Sequence, residues 1–319
     1  MPSSPPIDVA VGVLRRGDDI LLTRRLAGTH LAGYWELPGG KFEPGETARQ
    51  ALLRELHEEL GITATAVRAL IRHRHRYAER TVCLHAFEVT AWQGEPRGRQ
   101  GQALRWARPD AIDPAELPPA DGPLLTAARL PDVYAISGEC AGDLDDFLRR
   151  VARLAEAGVR LLCLRSPALD GAIYARLAHA AQALARPAGV TLLLHGADPA
   201  LPTLAAELGA GLHLPARRLA ALESRPLPAG LWCAASCHDA AELALAARLG
   251  CDFAVLSPVA PTLSHPGAAV LGWSGFAALV EQAALPVYAL GGMRPELADT
   301  ARAHGGQGVA VLRGLWQAP

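Results

Sequence analysis

The sequence predicts two domains, an α+β domain over residues 1–131 and an α/β domain of the (β/α)8 barrel type over residues 132–319. Three observations carry this. The chain has 319 residues, half of them hydrophobic, more than the roughly 100–200 residues of one domain and enough for two cores. Its texture changes at Leu130–Asp132. Beyond that point, apolar runs alternate with helical segments eight times, as in a parallel sheet buried on both faces.

In the first domain, Val9–Leu14 and Ile20–Thr23 read as strands around the turn Arg16-Gly17-Asp18-Asp19. Leu37-Pro38-Gly39-Gly40 reads as a loop. A helix follows, capped by Thr47 or Glu46 and ended by Gly61. Arg68–Arg80, rich in Arg and His, reads as a solvated strand-turn-strand edge rather than a nucleic-acid patch. Val82–Thr90 and Ala103–Trp106 read as strands. Ala107–Pro131 holds six prolines and reads as loop with a short helix from Gly122.

In the second domain the apolar runs are Val133–Ile136, Val159–Leu164, Val190–Leu194, Gly211–Leu214, Leu231–Ala235, Asp252–Leu256, Pro286–Leu290 and Gly308–Leu312. Between them, Asp143–Ala157, Ile173–Ala185 and Ala240–Leu249 have helical period. Eight such units close a barrel, compact for its type.

Net charge is −1 and the isoelectric point about 6.8, so no global charge draws the chain to nucleic acid or membrane. No run reaches the 18 or so apolar residues of a membrane span. Cys83, Cys140, Cys163, Cys233, Cys237 and Cys251 form no C-x-x-C pair and suit a reducing compartment. Met1–Ile7 lacks a secretory signature, so the expected location is cytoplasmic.

The chemistry concentrates in the helix Thr47–Leu60. Ala48, Ala51, Leu52, Leu56 and Leu60 make its apolar stripe, while Glu55, Glu58 and Glu59 share another face. Three carboxylates near the negative end of a helix repel one another. A hard divalent ion resolves the conflict, since Mg²⁺ takes one or two carboxylates together with substrate phosphates and water. Arg54 is placed to hold a carboxylate. From Gly40 to Ile62 the chain reads G-x5-E-x7-R-E-U-x-E-E-x-G-U, with U apolar, without exception.

That 23-residue pattern is the Nudix box, and residues 8–131 resemble MutT-type Nudix hydrolases throughout. Ala10–Val13, Leu22–Arg25, Trp35–Lys41, Trp92–Pro96 and Leu117–Pro123 carry the likeness. It implies a mixed sheet between helices and hydrolysis of 8-oxo-dGTP to the monophosphate and pyrophosphate, an activity of nucleotide-pool sanitation. It implies Mg²⁺, or Mn²⁺, on Glu55, Glu58, Glu59 and the Gly40 carbonyl. Arg25 matches the phosphate-contacting arginine, and His30, Leu37 and Asp121 match substrate-side positions. Two positions depart from the family: Gln100 stands where a loop Glu serves as ligand or base, and Asp121 where an Asn reads the purine. An ionised Asp accepts from N7–H of 8-oxoguanine but cannot donate to O6. Tyr34 and Trp35 are candidates to stack on a base, Trp35 equally a core residue.

Residues 133–316 resemble the thiamine-phosphate synthase and thiazole tautomerase superfamily. The carrying stretches are Gly211–Leu214, Ser236–His238, Asp252–Thr262, Tyr288–Met293 and Gly308–Val311. The resemblance implies a phosphate cradle at Gly291, Gly292, Gly308 and Val309, and His238 as a proton-moving residue. His195 and His213 are further candidates for the mouth. The synthase's basic pair is replaced by Arg165-Ser166, its Asn-Asp pair by His195-Gly196, and its Gly-Gln and acid by Pro215-Ala216-Arg217. Synthase activity is therefore not expected, and the expected ligand is thiazole phosphate or another phosphorylated molecule. The expected function is hydrolysis of oxidised purine nucleoside triphosphates. The alternative is a thiamine-pathway protein that cleaves pyrimidine or thiamine pyrophosphates and binds thiazole phosphate in its barrel.

Overall fold

A computed structural model of the chain describes residues 5–262, 267 and 269–316. The backbone divides between Arg129 and Leu130 into two compact units, with Val280–Ala284 grouped with the first.

In the first unit the strands are β1 (Ile7–Arg16), β2 (Asp19–Arg24), β3 (Trp35–Glu36), β4 (Gly39–Lys41), β5 (Thr63–Arg76), β6 (Thr81–Gln93) and β7 (Leu104–Ala107). The helices are α1 (Ala48–Leu60) and α2 (Gly122–Arg129). The sheet runs β3-β2-β1-β6-β5, with β4 on β1 and β7 on β2. It is mixed: β1 and β6 are parallel, the other pairs antiparallel. Side chains of β1 and β2 alternate across the sheet. Ala10, Leu14 and Leu21 pack under α1 with Leu52, Leu56 and Leu60. Val11, Val13, Ile20 and Leu22 pack on the other face with Leu124, Leu125 and Ala127 of α2. Each fully buried leucine of α1 contributes about 1.5–3 kcal/mol, which fixes the face that turns Glu55 and Glu59 toward β4.

Local signals set the ends of α1. The Thr47 side chain accepts from Gln50 N, and Gln50 accepts from Thr47 N, a reciprocal cap of two orphan donors. Gly61 closes the helix at φ 70°, a conformation open to glycine. Two readings change. Gly39–Lys41 is a short strand on β1 rather than loop. The edge expected from Arg68 is a strand that begins at Thr63 and pairs along most of β6.

In the second unit the strands are β8 (Val133–Ile136), β9 (Leu161–Leu164), β10 (Thr191–His195), β11 (Gly211–Leu214), β12 (Cys233–Cys237), β13 (Phe253–Leu256), β14 (Val287–Ala289) and β15 (Gly308–Val311). Helices α3 (Leu144–Glu156), α4 (Gly171–Ala185), α5 (Leu201–Leu208), α6 (Ala216–Leu219), α7 (Ala240–Arg248), α8 (Gly272–Val280), α9 (Ala298–Ala303) and α10 (Arg313–Trp316) accompany them. The strands close into one parallel barrel, β15 pairing with β8. Tyr134, Phe253 and Tyr288 fill its interior, their rings 5.3–5.8 Å apart. A barrel interior packed this way is a core, not a pore.

Candidate active site

In the first unit, Gly40 places the carboxylates. It lies in β4, directly under α1, and a Cβ there would stand 2.2 Å from the Glu55 carboxyl. The glycine lets Glu55 lie against the strand, where the Gly40 carbonyl and a carboxylate can share an ion. Arg54 brackets the group from the outer side. Its Nε and Nη2 donate to the two oxygens of Glu46 at 2.8 and 3.0 Å, and Nη2 donates to the Lys41 carbonyl at 2.9 Å. Its Nη1 donates to Glu55 at 2.9 Å and to Glu58 at 3.2 Å. The hydrogen bonds from Arg54 hold the Glu46 carboxyl at about 2, so Glu46 anchors the bracket as an anion.

Glu59 is held differently. Burial, with the charges of Glu55 and Glu36, raises its pKa to about 7, against the opposing contact from Gly39 N–H and the charge of Arg25. A buried carboxylate beside other carboxylates ionises readily only with a cation near it. The donor set (carboxylates of Glu55, Glu58 and Glu59 and the Gly40 carbonyl, all oxygen) suits a hard divalent ion. Glu58 is half exposed at the edge.

Gly40 and Glu59 line a cleft of about 320 Å³ whose walls include Arg25, His30, Leu37, Tyr77, Arg80 and Asp121, whereas Glu55 and Glu58 are not among its lining residues. Arg25 pairs with Glu36 through Nη1 and donates from Nε to the His30 carbonyl at 2.6 Å. At the other end, Leu37 N donates to buried Asp121 at 3.3 Å. Burial raises Asp121 to about 7, Glu36 adding to the rise and Leu37 N–H opposing it. Near neutrality a protonated carboxyl can also donate.

In the barrel, a polar group runs from Tyr134 in the interior to the C-terminal ends of β9 to β12. Tyr134 OH and His213 Nδ1 share a 2.8 Å hydrogen bond, and His213 Nε2 shares another of 2.8 Å with Ser236 Oγ. The His195 ring stands edge-on to His213 at 5.2 Å. Burial keeps both imidazoles neutral: His195 falls to about 4, and His213 lies well below the usual value. Arg165 donates to Glu139 at 2.9 Å. His238 lies outside this group, more than half exposed. Its N–H and Nδ1 both face Glu242 Oε2, at 2.7 and 2.9 Å, at the start of α7.

The expected glycine cradle divides. Gly291 and Gly292 follow β14, with φ of 96° and 68°. Gly308 and Val309 instead begin β15. A Cβ on Gly308 would meet the Asp132 carbonyl at 2.0 Å, and Val309 N donates to that carbonyl at 3.0 Å. At about 3.3 Å per residue they lie roughly 10 and 7 Å from the strand's C-terminal end, where ligands of such barrels bind. Gly308 and Val309 are thus not part of a cradle with Gly291 and Gly292.

Residues 10–127 match the family model described as NUDIX domain, and residues 133–315 that of thiamine monophosphate synthase. A CTP pyrophosphohydrolase of Escherichia coli K12 is 43% identical over 38% of this chain and 90% of its own length. The 8-oxo-dGTP diphosphatase of the same organism is 38% identical over 39% and 96%. A thiamine-phosphate synthase of Thioalkalivibrio sulfidiphilus is 30% identical over 61% and 92%. The chain belongs to both families. Its Nudix domain is homologous to hydrolases of pyrophosphate bonds, which work with a divalent metal. Its barrel has the thiamine monophosphate synthase fold. No helix among the described residues is long and apolar enough to cross a membrane.

Within the Nudix domain, the structure brings Arg25, His30, Leu37, Gly40, Glu59 and Asp121 to one cleft, with Gln100 on its wall. Tyr34 and Trp35 are not among the lining residues. Trp35 packs on the core, with Arg105 4.5 Å from its ring centre. Sequence reasoning missed Glu36, Tyr77 and Arg80. Glu36 is one residue from Leu37 and reaches Arg25 across β2 and β3. Tyr77 and Arg80 close the β5–β6 turn, where Tyr77 N donates to Arg80 O at 2.8 Å. Their only local signal was the turn.

Proposed function

We propose that the Nudix domain hydrolyses 8-oxo-dGTP and related oxidised purine nucleoside triphosphates to the monophosphate and pyrophosphate, with Mg²⁺. The observation that carries this is the meeting of Gly40, which packs on Glu55, and of Glu59 with a buried Asp121 in one cleft. Bound Mg²⁺ neutralises the triphosphate and lowers the pKa of a water. Glu55, Glu58 and Glu59 with the Gly40 carbonyl would hold it. Arg54 fixes Glu55 and Glu58 in position. Arg25 lines the cleft where the phosphates would run, and a carboxylate of this cluster that the metal does not take would serve as base toward the attacking water. Water adds to one phosphorus of the α–β bridge, the bridging P–O bond on that phosphorus breaks, and the bridging oxygen leaves on the other product. Asp121 meets the base, accepting from N7–H when ionised and donating to O6 when protonated. Removal of mutagenic nucleotides from the precursor pool follows from that activity.

For the barrel we propose a phosphorylated ligand near Gly291 and Gly292, without synthase activity. His195 and Gly196 stand where the synthase pattern has an amide and an acid, and neutral His213 beside them belongs to a stretch that matches the family. His238, matched to a tautomerase histidine, holds the start of α7.

A second reading has support of its own. One relative is named a CTP pyrophosphohydrolase, and the barrel belongs to a thiamine family. Cleavage of pyrimidine or thiamine-type pyrophosphates fits both. Steady-state kinetics of the purified chain with Mg²⁺ on 8-oxo-dGTP, dGTP, CTP and thiamine pyrophosphate decide between them. A kcat/KM for 8-oxo-dGTP at least tenfold above the others is expected. A preference for CTP or thiamine pyrophosphate overturns the first reading.

A further inference from the structure

Away from the cleft, three different donor types meet on the other face of the Nudix sheet. Asp8 lies on β1 and Cys83 and His85 on β6, and the parallel register pairs Asp8 with Cys83 and Ala10 with His85. Alternation puts all three side chains on the face that Ala10 and Val89 share with α1. One carboxylate oxygen, one thiol sulfur and one imidazole nitrogen stand within 4.8 Å of one another. His85 Nε2 is already 2.8 Å from Asp8 Oδ1. Cys83 is buried, Asp8 exposed and His85 between them, so the group opens to solvent on one side only. The Phe42 ring lies 5.0 Å from that of His85, and Phe42 N donates to the Asp8 carbonyl at 3.1 Å.

We propose that Asp8, Cys83 and His85 form a second metal site, for a borderline divalent ion of the Zn²⁺ type. The donor set decides the class of ion. Thiolate and imidazole suit zinc, whereas the all-oxygen cluster around Gly40 suits magnesium. Bond lengths of ~2.0–2.3 Å in a tetrahedral site set ligand atoms ~3.3–3.8 Å apart. Side-chain rotation of about an ångström closes the triad to that size, with both strands held in register by the sheet. Binding forms a metal–sulfur bond, and the Cys83 thiol proton leaves to solvent. Thiolate and carboxylate then balance the 2+ charge. Arg72 of β5 stands in register opposite His85, and Arg74, opposite Cys83, is itself paired with Glu281. Three protein ligands leave a fourth position open to water.

The test is a titration of the full chain with Co²⁺, followed by absorption. Co²⁺ in the glutamate cluster has oxygen ligands only, so a sulfur-to-cobalt charge-transfer band reports the new site alone. One equivalent per chain is expected to saturate the band. Cys83→Ser abolishes it, and Asp8→Asn and His85→Ala each weaken binding at least tenfold. Mg²⁺-supported hydrolysis stays within about twofold in all three variants, which also shows that they fold. If Cys83→Ser does not fold, the other two variants carry the result. No band in the unaltered protein, a band that survives Cys83→Ser, or affinity unchanged by His85→Ala overturns the site.

Discussion

Gly40 and Gly308 are both positions where one added methyl group would collide, but what they collide with differs. At Gly40 the obstacle is the Glu55 carboxyl, 2.2 Å away; at Gly308 it is the Asp132 carbonyl, 2.0 Å away. The first glycine makes room for a group that can change its charge and partners. The second makes room for a neighbouring strand of the barrel. A glycine in a family motif therefore marks close approach, and only the approaching atom says whether chemistry or packing requires it.

Removing the charge from Glu55 sharpens that contrast most. Glu55→Gln keeps the shape in the Gly40 cradle but loses one anionic ligand. A fall in kcat of ~10²–10³-fold is expected, as for loss of a main electrostatic contact to the reacting groups. Pyrophosphate release with saturating nucleotide and Mg²⁺ measures it. A rate within a few fold of the unaltered protein would remove Glu55 from the site.

Gly308→Ala is the opposite experiment. The Asp132 carbonyl is backbone and cannot swing away, so the barrel must shift or lose the β15–β8 contact. A destabilisation of about 2–4 kcal/mol is expected, typical of strain at a packed backbone position, read from urea unfolding of the barrel. Nucleotide hydrolysis per folded molecule stays unchanged. A loss of ligand affinity with full stability would return Gly308 to a binding role.

These two positions also show how far the sequence could be read. Gly40 belongs to a 23-residue run whose parts are neighbours on one strand and one helix. The Thr47 cap, the Gly61 stop and the stripe of Ala51, Leu52, Leu56 and Leu60 are local signals, and they fix which face Glu55 and Glu59 take. Gly308 was legible as strand but not as one end of it. The resemblance put the motif at the mouth, whereas pairing of β15 with β8 and β14 sets its first residue at the opposite end. Tyr77 and Arg80 were illegible as cleft residues for a related reason. They reach the cleft only because β5 and β6 pair along their length, which no local spacing encodes. The raised pKa of Asp121 depends on burial by residues far apart in the chain, so its type alone suggested a plain anion.

Asp121 gives a smaller, pH-dependent effect. Burial raises its pKa to about 7, so it is mostly protonated below that pH and mostly ionised above it. A protonated Asp121 donates to O6 while its other oxygen accepts from N7–H, and an ionised one keeps only the N7–H contact and is repelled by O6. KM for 8-oxo-dGTP is expected to rise about fivefold as pH goes from 6 to 8, since one lost hydrogen bond of ~1.4 kcal/mol is tenfold between the fully protonated and the fully ionised form. Asp121→Asn, whose amide donates at any pH, should remove that rise while leaving the pH dependence of kcat. A KM profile identical in the two proteins would show that Asp121 does not read the base.

The smallest effect is expected at His238. Its position matches a proton-moving histidine, yet its side chain is more than half exposed and held only to Glu242. An exposed pair of this kind is worth ~0.2–1 kcal/mol. His238→Ala also keeps the backbone N–H that Glu242 accepts at 2.7 Å, so a loss below about 0.5 kcal/mol is expected in urea unfolding. Glu242→Ala removes both contacts at the start of α7 and should cost more, about 1 kcal/mol, as a lost helix cap does. That order follows from capping and from nothing chemical. If instead His238→Ala left stability intact and abolished a proton transfer on a thiazole carboxylate phosphate, the imidazole would have to leave Glu242 and turn to the barrel mouth. The barrel would then be an enzyme in its own right.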